Sequence, residues 1–301
     1  MIRTIKVLVV LVVLGTAGCF YPPSRLLVLK LLGRASVCPL RQALRSSDEI
    51  SGTVAAKDRL LRESRLLEKD PAGYHLWQTP KGRYWMPAGS DYAVFWDMGE
   101  QQMRIYGQDG LGARAGDVVL DCGANVGLYT RTALDAGARL VVAIELAPEN
   151  LECLRRNFAD EVRAGRVIVY PKGVWDKDDF LALTVNPDNS AADSVVLKHE
   201  ESRVGPKVPL TTIDKLVAEL KLDRVDFIKM DIEGAEQNAL IGAHATLAKY
   251  HPRMALSAYH LPTDPEKIPE LVRQGWAGYH MVCGRCEDGW TLIRVAVLYF
   301  Y

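Results

Sequence analysis

The chain lacks the features that mark several classes of protein. Neither charge is in excess, because 37 Lys and Arg balance 37 Asp and Glu among its 301 residues. Nucleic-acid binding depends on neutralising phosphates, so this balance gives no sign of a nucleic-acid partner. Six cysteines are too few for a small secreted scaffold held by disulfides. A hydrophobic content of 49% is too high for a disordered chain and predicts a globular protein with a full core.

The first 24 residues differ from the rest. Residues 7–24 carry no charge, and a helix over them would reach about 27 Å, close to the hydrocarbon thickness of about 30 Å. Only Arg3 and Lys6 precede this run, whereas more basic residues follow it, which favours a cytoplasmic location for the C-terminal side. We therefore expect a single-pass membrane anchor over residues 7–24. Small residues before Cys19 leave a cleaved signal peptide or a bacterial lipoprotein signal as alternatives.

Residues 25–110 form a predicted juxtamembrane extension. Apolar residues at helical spacing predict an amphipathic helix over 53–69, followed by a break at Asp70-Pro71-Ala72-Gly73. The turn Thr79-Pro80-Lys81-Gly82 between two short aromatic runs predicts a β-hairpin. We expect this extension to pack on a main domain at residues 111–301.

The main domain alternates between short apolar runs and amphipathic segments. Strands are predicted over 118–121, 140–145, 167–170, 225–230 and 254–259, and two more near 279–282 and 292–298, with helices between most of them. A hairpin is expected within 180–197. This alternation predicts an α/β fold with a mainly parallel, seven-stranded sheet and helices on both faces. Ligands are expected at the C-terminal ends of the strands.

A glycine-containing turn follows the first of these strands, with the sequence Asp121-Cys122-Gly123-Ala124-Asn125-Val126-Gly127. Its glycines permit close approach of the backbone to a ligand. Glu145 ends the next strand, where a carboxylate can bind both hydroxyls of a ribose. A dinucleotide fingerprint has glycine where this chain has Asp121, and a carboxylate would repel a pyrophosphate. The pattern therefore favours the cationic S-adenosylmethionine over NAD, and a glycine turn without a ligand remains a further alternative.

A second acidic motif follows the fourth predicted strand, with the sequence Lys229-Met230-Asp231-Ile232-Glu233-Gly234-Ala235-Glu236. Asp231 and Glu233 share a face if the backbone stays extended, so both side chains are expected beside the donor's methyl group. Lys229 has the same parity and could hold a substrate oxygen or pair with a carboxylate. Glu236 falls in the first turn of a helix, where a capping role and a functional role are equally compatible with its position.

The two motifs, with Thr212-Ile213-Asp214 between them, resemble those of the FkbM-type S-adenosylmethionine-dependent methyltransferases over about residues 100–260. The resemblance implies a Rossmann-like class I methyltransferase fold and O-methylation of a hydroxyl on a glycan, glycolipid or secondary metabolite. It implies donor-site roles for Asp121, Gly123, Asn125, Gly127 and Glu145, and active-site roles for Asp231 and Glu233. A nucleotide-dependent oxidoreductase and a non-catalytic membrane-tethered module are the alternatives.

The base of this reaction is left open between two residues. Members of the family often have a glutamate before a histidine at the end of the fifth strand, whereas this chain has Tyr259-His260. Transfer to a hydroxyl also removes a proton, and His260 and Asp231 are both candidates for the base. Asp231, Glu233 and His260 are also of the types that bind magnesium or manganese. Because no other dense ligand cluster accompanies them, the sequence favours a site without metal.

Overall fold

The computed structural model describes residues 22–34, 39–198, 202–288 and 293–301. The predicted anchor over residues 7–24 therefore lies outside the described residues, except for its last three positions. Those positions belong to helix α1 (Pro22–Leu31). Within the described ranges, no helix is both long and apolar enough to cross a membrane.

The extension contains a helix, a small sheet and a second helix. Its elements are α2 (Leu40–Glu63), β1 (Arg65–Asp70), β2 (Tyr74–Thr79), β3 (Gly82–Pro87) and α3 (Asp91–Gln102). The predicted hairpin is confirmed, since β2 and β3 pair in antiparallel register. The predicted helix over 53–69 is wrong at its C-terminal end, because residues 65–70 form β1 and pair with β2. There Leu66 lies opposite Trp77, and this strand pairing outweighs the helical spacing of the leucines.

The remaining elements build the main domain. In chain order they are β4 (Val118–Cys122), α4 (Leu128–Asp135), β5 (Leu140–Ile144), α5 (Pro148–Asn157), α6 (Ala159–Arg163), β6 (Val167–Tyr170), β7 (Gly173–Val174), β8 (Asp179–Val185), β9 (Arg203–Thr211), α7 (Ile213–Glu219), β10 (Phe227–Met230), α8 (Glu236–Ile241), α9 (His244–Tyr250), β11 (Arg253–Ser257), α10 (Asp264–Gly275), β12 (Met281–Cys283), β13 (Cys286–Asp288), β14 (Ile293–Val295) and β15 (Val297–Phe300).

The predicted seven-stranded, mainly parallel sheet is confirmed. Its order is β12-β15-β11-β10-β4-β5-β6, and β15 is the strand that runs against its neighbours β11 and β12. Leu120 and Val142 enter one hydrophobic core, whereas Val119 and Val141 enter another. Successive residues of β4 and β5 therefore face hydrophobic cores on opposite faces of the sheet. Because both faces are buried, the sequences of these strands are continuous apolar runs.

Strand order reverses beside β4, because the chain continues from β4 to β5 on one side, whereas the later parallel strand β10 lies on the other. The C-terminal ends of these three strands therefore border a crevice at the point where strand order reverses. Such a switch point is where open α/β sheets bind their ligands.

The insertion after β6 differs from the predicted hairpin over 180–197. Strand β8 pairs with β9, not with residues 194–197, and a single bridge joins Thr184 to Ser194. Ser194 instead donates from Oγ to the carbonyl oxygen of Glu233 at 2.7 Å and accepts hydrogen bonds from the amides of Val196 and Leu197. The bond to Glu233 holds the segment against the loop after β10, and a pattern within residues 180–197 does not predict this contact.

Candidate active site

The turn between β4 and α4 brings two parts of the chain into close contact. Its backbone takes positive φ at Gly123 (76°), Asn125 (51°) and Gly127 (96°). A Cβ atom on Gly123 would lie 1.8 Å from the carbonyl oxygen of Asp231. Glycine is therefore required here by the close approach of Asp231 as well as by φ. At Gly127, a Cβ atom would lie 2.0 Å from the ring of Phe158.

Glu145 fastens this turn to the end of β5. Its Oε1 accepts hydrogen bonds from the amides of Leu146 at 2.7 Å and Ala147 at 2.8 Å, and its Oε2 accepts one from the amide of Asn125 at 2.8 Å. Burial raises the pKa of Glu145, although these three backbone bonds oppose the shift. The carboxylate borders the cavity described below, in the place that the sequence predicts for a ribose ligand.

Lys229 contacts the turn and also borders the cavity described below. Its Nζ donates to the carbonyl oxygen of Gly123 at 2.8 Å and lies 3.5 Å from Oδ1 of Asp121. The other carboxylate oxygen of Asp121 accepts a hydrogen bond from Thr130 at 2.7 Å. Burial lowers the pKa of Lys229, but Asp121 and Asp231 outweigh it, so that the pKa is raised. The structure thus has the carboxylate pairing expected of Lys229, and Asp121 is buried behind the turn.

An acidic cluster surrounds His260 at the ends of β10 and β11. His260 Nε2 lies 3.6 Å from Oδ1 of Asp231 and 3.4 Å from Oε1 of Glu233. Its Nδ1 lies 2.9 Å from Oε1 of Glu236, which also accepts the amide hydrogen of Ile232 at 2.9 Å. Glu236 is fully buried, so of its two interpretations the structure supports a place in this cluster in addition to capping.

Burial and the neighbouring charges raise the pKa of some groups of the cluster and lower that of others. Burial lowers the pKa of His260, but Glu236 and Glu233 outweigh it and raise the pKa to about 12. Burial raises the pKa of Asp231, but Lys229 and His260 outweigh it and the net shift is downward. Burial also raises the pKa of Glu233, against the opposing effect of His260.

Two side chains from outside the recognised motifs complete the site. The hydroxyl of Tyr106 donates to Oδ2 of Asp231 at 2.8 Å and lies 3.1 Å from Oγ of Ser257. Asp97 of α3 also borders the cavity, and burial, together with Glu100 and Asp231, raises its pKa well above the ordinary value. The sequence does not predict a role for either residue, because both lie in the extension before the main domain and no local pattern distinguishes them from packing residues.

The cavity between these groups has a volume of about 360 Å³, within the range of about 300–1,000 Å³ for small-molecule sites. Gly123, Asn125 and Glu145 line it on the β5 side of β4, which we call the donor end, and Asp231 and Glu233 line it on the β10 side, the acidic end.

Several side chains that line the cavity have polar atoms available to a ligand. Each has a buried oxygen that finds no hydrogen-bond partner in the described part of the chain: Oδ1 of Asn125, Oδ1 of Asn150, Oγ of Ser190 and Oδ2 of Asp193. Unsatisfied buried acceptors are costly. A ligand rich in hydroxyl, amino and ammonium donors would satisfy them, and S-adenosylmethionine carries all three.

Comparison with known proteins identifies related sequences. The family model described as "Methyltransferase FkbM domain" matches residues 121–279, which is just over half of the chain. The chain is 25% identical over 166 residues to the 31-O-demethyl-FK506 methyltransferase FkbM of Streptomyces tacrolimicus, covering 46% of this chain and 64% of that protein. It is 27% identical over 185 residues to the AMB antimetabolite synthetase AmbE of Pseudomonas aeruginosa, covering 48% of this chain and 8% of that protein.

A solved structure has a similar fold. The crystal structure of methyltransferase FkbM from Methylobacillus flagellatus KT matches with a TM-score of 0.50 at 21% identity, covering 85% of this chain and 60% of that one. The chain therefore spans less than two thirds of the length of each of these relatives. The likeness supports the Rossmann-like methyltransferase fold that the motifs predict.

Proposed function

The chain belongs to the FkbM methyltransferase family, and we propose that it transfers a methyl group from S-adenosylmethionine to a hydroxyl of a small molecule or glycan. One observation carries the proposal: Glu145 and the carboxylates of Asp231 and Glu233 border a single cavity at the switch point of the sheet. When bound, S-adenosylmethionine supplies a methyl group already activated by its sulfonium. The protein's task is then to align the donor and acceptor and to receive one proton.

The donor end of the cavity has the groups to hold this molecule. Three backbone amides occupy three of the about four lone-pair sites of the Glu145 carboxylate, which leaves one on Oε2 to accept from a ribose hydroxyl. Asn125 and Asn150 each have an amide oxygen available for donors of the ligand. The negative charge of the cavity favours a cationic donor. Asp121 acts from behind the turn, through Lys229 and Thr130.

Asp231 is the better placed of the two candidate bases. Its side chain is 26% exposed and borders the cavity, whereas His260 is 3% exposed and lies behind it. The hydroxyl of Tyr106 holds the Asp231 carboxylate in place. An acceptor hydroxyl in the cavity can therefore reach Asp231 directly, and His260 acts by positioning the cluster.

Calorimetric titration with S-adenosylhomocysteine tests the donor site. Hydrogen bonds to charged groups contribute about 1.5–3 kcal/mol, so Glu145→Ala is expected to weaken binding by about 10-fold to 100-fold. Glu68→Ala changes an exposed glutamate of β1 and is the matched control, with unchanged affinity expected. A folded wild-type chain that binds NADH but not S-adenosylhomocysteine would favour the oxidoreductase instead.

The acceptor is tested separately. The full chain is incubated with S-adenosylmethionine and a panel of hydroxyl, amine and thiol compounds, and formation of S-adenosylhomocysteine is measured. Turnover with hydroxyl acceptors supports O-methylation. Turnover with amines or thiols alone would overturn the choice of oxygen and leave methyl transfer intact. Donor binding without turnover on any acceptor would favour the non-catalytic module.

We also propose that residues 7–24 tether the protein to a membrane with its catalytic domain in the cytoplasm, where the methyl donor is made. The basic residues after the apolar run support this orientation.

Cys286 is disulfide-bonded, which favours the exported alternative because such bonds are rare in the cytosol. Protease added to sealed inside-out membrane vesicles separates the two: digestion of the domain supports the cytoplasmic side, and protection supports export.

A further inference from the structure

The recognised motifs leave the ammonium group of a bound donor without a partner. Resting on the proposed function, S-adenosylmethionine brings this charge into the cavity with its methionine part, and a buried charge needs a partner of opposite sign. Asp121 is not available, because its side chain is 0% exposed and its oxygens face Lys229 at 3.5 Å and Thr130 at 2.7 Å. Nζ of Lys229 also donates to the carbonyl oxygen of Gly123. A different carboxylate is therefore needed for the ammonium group.

Asp97 of α3 lies beside the donor turn. Its Oδ2 is 3.5 Å from Nδ2 of Asn125, whose backbone amide donates to Oε2 of Glu145 at 2.8 Å. All three residues line the cavity. In S-adenosylmethionine, the ribose is joined through the sulfur to the chain that carries the ammonium group. Two carboxylates that contact the same residue of the turn therefore match two neighbouring groups of the donor, and Glu145 is the one expected to bind the ribose.

The other carboxylates that line the cavity already have partners. Three of them have a cationic side chain within 3.6 Å: Glu100 has Arg285, and Asp231 and Glu233 have His260. The remaining two accept hydrogen bonds from backbone amides: Glu145 and Asp193. Asp97 has no ion pair in the described part of the chain, and its contact with Asn125 is at the long limit for a hydrogen bond. A cationic ligand would therefore stabilise Asp97 more than the others.

The charges around Asp97 also favour a cation at this position. Burial and the neighbouring carboxylates of Glu100 and Asp231 raise the pKa of Asp97 well above its ordinary value, against the opposing effect of Lys229. A cation within hydrogen-bond distance favours the ionised form of a carboxyl group, so a bound ammonium group would take the place of the proton. Oδ1 of Asn125 is buried without a partner among the described residues, and it offers a second acceptor to a group that has three N–H donors.

We propose that Asp97 binds the ammonium group of the donor's methionine part, with Oδ1 of Asn125 as a second acceptor. Asp97 lies outside residues 121–279, the range that the family model matches, and 28 residues before Asn125. The recognised motifs therefore do not include it. Helix α3 of the extension completes the donor site, so the extension contributes to donor binding as well as to packing.

Two ligands that differ only in the ammonium group test this assignment. The full chain and its variants are titrated by calorimetry with S-adenosylhomocysteine and with its deamino analogue, in which hydrogen replaces the amino group. The wild type is expected to bind S-adenosylhomocysteine at least about 10-fold more tightly, because hydrogen bonds between charged groups are strong. Asp97→Asn keeps the shape of the side chain and removes its charge. It is expected to weaken binding of S-adenosylhomocysteine about 10-fold and to leave affinity for the analogue within about twofold.

Control variants separate this contact from folding and from the rest of the donor site. Asp48→Asn changes an exposed aspartate of α2 and is expected to bind both ligands as the wild type does. Glu145→Ala is expected to weaken both ligands alike, because both carry the ribose. Circular dichroism establishes that Asp97→Asn is folded, and Asp97→Ala is measured in the same way with the same pattern expected.

The outcomes distinguish this inference from the proposed function. Unchanged affinity for S-adenosylhomocysteine in the folded Asp97 variants, or equal losses for the two ligands, overturns the role of Asp97. Equal affinity of the wild type for both ligands overturns it as well. In these cases a loss of binding in Glu145→Ala leaves the donor site intact. Failure of the folded wild type to bind S-adenosylhomocysteine overturns the proposed function and this inference with it.

Discussion

The two ends of the cavity differ in how their polar atoms are satisfied. At the donor end, the Glu145 carboxylate accepts three backbone amides from Asn125, Leu146 and Ala147, all within one strand–turn–helix–strand unit. At the other end, Asp231 accepts a hydrogen bond from Tyr106, which is 125 residues away in sequence. Buried atoms of this cluster also have no hydrogen-bond partner among the residues that the structure describes. A single supersecondary unit thus positions Glu145 at the donor end, whereas the acidic end is assembled from several elements. Both ends keep buried atoms that have no hydrogen-bond partner in the described part of the chain.

The largest effect is expected where the two ends meet. In Gly123→Ala, the new Cβ would lie 1.8 Å from the carbonyl oxygen of Asp231, so the turn and β10 must separate. Overpacking costs about 1–3 kcal/mol and the left-handed conformation about 1–2 kcal/mol, so the free energy of unfolding should fall by about 2–5 kcal/mol. Denaturant unfolding measures this, and donor affinity should fall with it.

Gly165→Ala isolates the conformational part of that effect. Gly165 has a φ of 68°, and a Cβ there would meet nothing within 4 Å. Its substitution should therefore cost only about 1–2 kcal/mol. Equal destabilisation by the two variants would contradict a steric contact between the donor turn and Asp231.

A substitution with a smaller effect on stability should separate turnover, which depends on the acidic end, from donor affinity, which depends on the donor end. Tyr106→Phe removes the hydroxyl that donates to Asp231 at 2.8 Å and should cost about 1 kcal/mol of stability. Because Asp231 loses its orientation as the base, turnover should fall roughly 10-fold, while affinity for S-adenosylhomocysteine stays within about twofold, since the contacts of Glu145 remain. Steady-state kinetics and calorimetry measure the two quantities.

The control is Tyr92→Phe, at a tyrosine that is 61% exposed. It should change neither turnover nor affinity. If Tyr106→Phe weakened donor binding as much as it slows turnover, the two ends could not be treated as separate.

The smallest effect concerns the insertion over the donor end. Burial raises the pKa of Asp193 from 3.8 to about 8, helped by Glu149 and Glu145 and opposed by the amide of Asn186. The folded pKa lies above the unfolded one, so the contribution of this group to stability is complete below about pH 4 and is lost as the pH rises through about 8. Asp193→Asn should therefore melt near the wild-type temperature at pH 4 and a few degrees above it at pH 9. Asp188→Asn, at an exposed position of the same segment, should match the wild type at both pH values.

Much of the fold is predictable because its signals are local. The strands of the parallel sheet are apolar runs, and the length and spacing of such runs can be recognised from the sequence without tertiary information. Strands β4, β5 and β6 begin and end within about two residues of their predicted limits. The errors fall where the partner of a strand lies outside the segment whose pattern was used for the prediction. Residues 65–70 pair with β2, and β8 pairs with β9, and neither choice is determined by a periodicity within the segment itself.

The same distinction applies to the site. Asp121, Gly123, Gly127 and Glu145 are recognisable because their order along one strand–turn–helix–strand unit fixes where they lie relative to the sheet. The partner of Lys229 is not, since it depends on the register of β10 against β4, which places Lys229 beside Asp121.

The sequence by itself therefore determined the α/β architecture, the donor turn and the acidic motif, because each follows from residues close together in the chain. The tertiary structure alone decided that Glu236 joins Asp231 and His260, that Tyr106 holds Asp231 and that Asp121 lies behind the turn. The physical reason is that hydrogen-bond partners are selected by strand register and by the packing of elements more than 100 residues apart. No pattern of neighbouring side chains encodes that selection.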